Sequence, residues 1–120
     1  MDTSADRRKC ARYEAEDGAF VFFGSEPTMA GKVLDVGKLG LGFTYLAQRP
    51  LTSGAMNLSL ISTQRSFQCR SLTGTPVFDM PAQEEAANGK RRCGIEFRKL
   101  TKNQISDIES FIELCTIGPT

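Results

Sequence analysis

At 120 residues the chain has the length of a single domain with one modest core. Its 15 Lys plus Arg nearly cancel 14 Asp plus Glu, so no overall field draws it to nucleic acid or to an anionic membrane surface. It has no histidine, its four cysteines are scattered at 10, 69, 93 and 115, and no apolar run approaches the roughly 20 residues that span a bilayer. Histidine catalysis and membrane insertion are thereby set aside, and a tetrahedral zinc site would need all four thiols at once. Three of these thiols fall in apolar segments, and the first residues lack an apolar signal core, as expected of a reduced cytoplasmic protein.

Residues 1–18 are polar and carry a local cluster of cations, Arg7, Arg8, Lys9 and Arg12, on what reads as a flexible arm. Residues 19–23 are aromatic and β-branched, a composition that predicts a buried strand, and the break at 24–27 ends it. Residues 32–36 predict a second strand, followed by glycines at 37, 40 and 42 that mark a tight turn before an extended pattern resumes at 43–46. The alternation over 56–61 predicts a strand with one face on a core. Residues 67–78 read as an interrupted strand, in which Gly74 suggests a bulge and Pro76 an edge position. A loop follows at 81–90, with Glu84 and Glu85 as a small acidic patch, and then a last strand over 92–99 with Cys93, Ile95 and Phe97 on one face. Phe20, Phe22, Phe23, Phe43, Phe67 and Phe97 are all expected in the core, which removes the exposed aromatics a general single-strand nucleic-acid binder would need.

Thr101 with Gln104 has the spacing of a capping box, and Ile105, Ile108, Phe111, Ile112 and Cys115 recur at helical intervals. A helix over about 102–115 is predicted to lie on the sheet until Gly118-Pro119 stops the chain. Five to seven strands joined by short connections make an antiparallel barrel or sandwich, because parallel pairing needs long crossovers.

Two patterns carry chemistry. Arg8 and Arg12 stand four residues apart, and Asp35-Val36-Gly37-Lys38-Leu39-Gly40 opens a glycine-rich turn. Guanidinium forks suit phosphate oxygens and purine edges, and a short carboxylate accepts hydrogen bonds from a base, so the two together describe a nucleotide pocket. Taken separately each has a plain reading: a solvated arm, and a turn stabilised by its own Asp and glycines.

At these residues the chain resembles the PilZ domain family, bacterial β-barrel modules that bind cyclic di-GMP, over nearly its whole length. The Arg-x-x-x-Arg motif matches Arg8 to Arg12, with the preceding basic residue at Arg7; the Asp-x-Ser-x-x-Gly motif matches Asp35 to Gly40 except that Gly37 stands where the serine would be. Leu41-Gly42-Phe43 and Gly94-Ile95-Glu96-Phe97 are also similar to family sequence. The resemblance implies a six-stranded antiparallel β-barrel at 19–117 with a C-terminal helix, preceded by the arm at 1–18. It implies a receptor or adaptor without enzymatic activity or cofactor, which binds cyclic di-GMP, changes conformation and signals to a protein partner, with no nucleic acid involved. The ligand-binding residues would be Arg7, Arg8, Arg12, Asp35, Gly37 and Gly40. The missing hydroxyl at Gly37 is expected to weaken binding, since a neutral hydrogen bond is worth about 0.5–1.5 kcal/mol, and a serine restored there to tighten it. The alternative is a degenerate member that binds no nucleotide and acts through protein contacts in motility or pilus function.

Overall fold

The computed structural model describes residues 11–24, 28–51, 54–83 and 88–120. Among these, the elements in chain order are β1 (Arg12–Ala15), β2 (Ala19–Phe23), β3 (Met29–Gly37), β4 (Gly40–Leu46), β5 (Met56–Ser62), β6 (Phe67–Pro81), β7 (Lys90–Arg98), α1 (Lys102–Cys115) and β8 (Thr116–Pro119). Strands β2, β5, β6, β7, β4 and β3 are successive neighbours, and a further β2–β3 pairing closes them into the expected six-stranded barrel. Every pairing is antiparallel.

Alternation along each strand fills the barrel. In β2, Ala19, Val21 and Phe23 point inward, while Phe20 and Phe22 point out. Phe22 is therefore exposed rather than part of the core, because a period of two lets only every second residue of this aromatic run face inside. Phe23, Phe43 and Tyr45 pack as a cluster with ring centroids 5.0–5.7 Å apart, backed by Leu41, Leu58, Leu60, Leu72 and Ile95. Helix α1 adds Ile108, Phe111 and Cys115 to this core, with Phe111 against Phe67.

The capping box forms as expected. Gln104 N–H donates to Thr101 Oγ1 at 3.1 Å and Thr101 N–H to Gln104 Oε1 at 3.0 Å, while Gln104 Nε2 also donates to the carbonyl of Ser71 on β6. Ile105 is exposed at 42 %, so the apolar stripe starts one turn later than its spacing indicates.

Three strand assignments differ from the sequence reading. Arg12–Ala15, placed there in the arm, pair with β3 on one side and β8 on the other; two backbone ladders order a segment whose side chains give little hydrophobic signal. Strand β8 itself goes unrecognised in the sequence because it is four residues long and contains Gly118 and Pro119, which an outermost strand tolerates. Strand β6 lies between β5 and β7, not at an edge, although its pairing to β5 ends at Gly74, so Pro76 does sit where only β7 remains alongside. Gly74 is not the bulge. A Cβ there would stand 2.4 Å from Ile95 Cγ2, so glycine is needed for packing, and the bulges fall opposite Ser59 and at Val77.

Candidate functional site

Strand β3 changes partners midway. Residues from Met29 to Lys32 pair with β2 and close the barrel, whereas Asp35 to Gly37 pair with β1. Between them the register against β4 slips, Val33 facing Phe43 and Asp35 facing Gly42, so Leu34 is an extra residue. In a regular strand Asp35 would share the inward direction of Val33. The bulge reverses the alternation, sends Val36 into the core and turns Asp35 to the outer face, where a carboxylate can meet solvent or a ligand.

Arg12 meets it there. The Nε and Nη2 of Arg12 both donate to Asp35 Oδ1, at 3.2 and 2.7 Å, with the side chains 36 % and 17 % exposed. The arginine is held from its backbone, since Thr120 N–H donates to the Arg12 carbonyl at 3.0 Å and Arg12 faces Gly37 in the β1–β3 ladder. Both bonds from the guanidinium fall on one carboxylate oxygen, which leaves Oδ2 able to accept and Nη1 able to donate further hydrogen bonds.

The glycines around this pair serve close approach, as none of Gly37, Gly40 and Gly42 has a positive φ. A Cβ on Gly37 would stand 2.6 Å from the carbonyl oxygen of Ala11 and 3.0 Å from Arg12 Cδ, so a serine there cannot be added without moving the start of β1. Gly40 belongs to a different contact. Its Cβ would lie 2.0 Å from the Ile95 carbonyl oxygen, and its role is to let β4 begin flush against β7. Gly42 leaves room for the ion pair, whose Asp35 Oδ1 lies 2.9 Å from where its Cβ would be. At the turn, Lys38 reaches Glu109 of α1 at 3.4 Å, which ties the motif hairpin to the helix.

Of the residues singled out by sequence, Arg12 and Asp35 are brought into contact, Gly37 adjoins them and Gly40 packs on β7. Arg7 and Arg8 lie outside the described residues. So does Cys10; Cys69, Cys93 and Cys115 are buried free thiols, and burial pushes Cys69 and Cys93 up to about 12. Thiols so hard to ionise are poor nucleophiles at neutral pH. No group of three or more metal-ligating side chains occurs among the described residues.

A second polar cluster sits inside the barrel. Asp79 accepts from Arg91 Nε at 2.6 Å, from Leu51 N–H at 2.9 Å and from the Tyr45 hydroxyl. Burial, then the bond to Asp79, raises the Tyr45 pKa above its ordinary value. With its oxygens engaged from three directions, Asp79 fastens β4, β6, β7 and the chain at Leu51 together.

No sequence-family model matches the chain and no curated protein sequence is similar to it. Solved structures are. The PilZ domain of YcgR with c-di-GMP from Escherichia coli superposes with a TM-score of 0.72 at 13% identity, covering 89% of each chain. The chain has a PilZ fold. It also matches the Klebsiella MrkH–c-di-GMP complex (TM-score 0.71, 10% identity, 89% of this chain and 51% of that one). The Bacillus subtilis inhibitor of motility MotI follows at TM-score 0.68 and 12% identity, with 91% and 49% covered. The chain thus spans nearly all of the YcgR domain and about half of MrkH and MotI.

The outer face of the PilZ barrel holds three residues to which the sequence reading gave no site role. Gly42, Gly94 and Phe78 form one paired row with Asp35 across β4, β7, β6 and β3. Gly42 and Gly94 appear in the sequence only as family-like punctuation; two glycines that each follow an apolar or cysteine residue within a strand are a signal of backbone left bare for a neighbour.

Proposed function

We propose that the chain is a cytoplasmic, non-enzymatic receptor for cyclic di-GMP that changes conformation on binding and passes the signal to a protein partner. The observation that carries this reading is the Arg12–Asp35 pair, assembled from β1 and β3 on the outer face of a barrel whose solved counterparts include c-di-GMP complexes. Asp35 Oδ2 accepts from the guanine N–H edge, and Arg12 turns from its present partner toward phosphate or base. Arg7 and Arg8, on the segment leading into β1, complete the cationic grip. The reading extends to residues 1–18 as the responsive arm, with β1 its anchored end.

Isothermal titration of the intact chain with cyclic di-GMP tests it. Removing one member of a desolvated charge pair costs about 2–5 kcal/mol, so Arg12→Ala and Asp35→Ala are each expected to weaken binding at least tenfold. Unchanged affinity in both would show that the site is elsewhere. A second reading, a barrel that binds no nucleotide and works through protein contacts, is favoured by Gly37 and by an Asp35 already engaged; a flat titration at high micromolar ligand would favour it over the first.

A further inference from the structure

Two bulges act on the same row of the sheet. The one at Leu34 turns Asp35 outward, and the one at Val77 does the same for Phe78. Pro76 faces Ile95 and Phe78 faces Gly94, so without the extra residue Phe78 would face Cys93 and point into the barrel. Instead Asp79 goes inward and the phenyl ring comes out, 37 % exposed.

Asp35 and Phe78 then converge over bare backbone. Gly42 and Gly94 are paired directly, and each has its missing side chain's space taken by a neighbour: the Asp35 carboxylate over Gly42, and the Phe78 ring over Gly94, with Cε2 2.1 Å from where a Cβ would be. Opposed Cβ positions in an antiparallel pair are about 5 Å apart, so the carboxylate and the ring lie side by side on the outer face, about one strand spacing from each other. Beside the row runs a cleft of about 440 Å³ lined by Leu34, Thr44, Met80 and Arg92 among others.

A half-exposed ring beside a carboxylate on one sheet face suits a flat, hydrogen-bonding heterocycle laid over both. We infer that Phe78 is a base-stacking residue of the site: the base that donates to Asp35 lies against the ring, and the rest of the ligand runs into the cleft beside Arg92. This inference rests on the nucleotide-binding reading above. Stacking on aromatics needs a π face, which an aliphatic side chain of similar bulk lacks.

The test is titration of the parent, Phe78→Ala, Phe78→Leu and Phe78→Trp with cyclic di-GMP, beside Asp35→Ala and with thermal unfolding as a check on folding. Loss of one base–aromatic stack predicts about tenfold weaker binding for Phe78→Ala and Phe78→Leu, with Phe78→Trp close to the parent. Phe78→Leu keeps Gly94 covered, so it decides the matter should Phe78→Ala fold poorly. In the parent, the Phe78 ring protons are expected to move upfield on ligand addition. Parental affinity in Phe78→Leu with Asp35→Ala impaired would overturn the stacking role and leave the proposed receptor standing. Absence of binding by the parent would overturn the receptor and the stacking role together.

Discussion

The function proposed for this barrel depends on a few atoms near Asp35. An ion pair with one partner more than a third exposed contributes little to stability, on the order of 0–1 kcal/mol, so the fold does not depend on the Arg12–Asp35 pair and the proposed binding role can be tested by removing either member. Gly37 shows how a residue-level expectation changes once neighbours are known. Read from the motif, a serine there only adds a hydroxyl; beside Ala11, its Cβ would press on a backbone carbonyl oxygen 2.6 Å away, so the chain entering β1 has to shift. Gly37→Ser is accordingly expected to destabilise the β1–β3 pairing by about 1 kcal/mol, a typical cost of local overpacking, lowering Tm by a few degrees. Differential scanning calorimetry of the variant checks this, and an unchanged or raised Tm would count against it.

Strand β1 is held by ladders on both sides and not by burial, whereas β3 serves two partners and needs its bulge to do so. The helix is secured locally at its start. Thr101 satisfies an otherwise orphan backbone donor, and Gln104 adds a bond to β6, so Thr101→Ala is expected to cost about 1 kcal/mol. Urea unfolding should show a lower midpoint with an unchanged slope; a change in slope instead would mean that the helix had ceased to unfold with the barrel.

Across the whole molecule, the buried titratable groups give stability a defined pH dependence. Cys69 and Cys93 are raised from 9.0 to about 12 by burial, and Tyr45 is raised for the same reason, so the folded state favours their neutral forms. A raised folded pKa contributes fully below the unfolded value and is lost as pH climbs toward the folded one. Stability from these groups should therefore be level below about pH 8 and decline from about pH 9 to 12. Urea midpoints at pH 7.5, 9 and 10.5 test this, and a flat profile would mean that the thiols titrate without unfolding the chain.

The sequence by itself determined what local pattern can encode: the alternation of β4, β5 and β7, the capping box and the stripe of α1, hence an antiparallel barrel closed by a helix. It also marked Arg12 and Asp35 as a guanidinium and a carboxylate suited to one ligand. Only the tertiary structure decided that β1 is a strand, because its order comes from partners 21 to 25 and more than 100 residues away. The same holds for the outward turn of Asp35 and Phe78. Each depends on one extra residue in a pairing register, and register is a relation between strands that no single strand's side chains record.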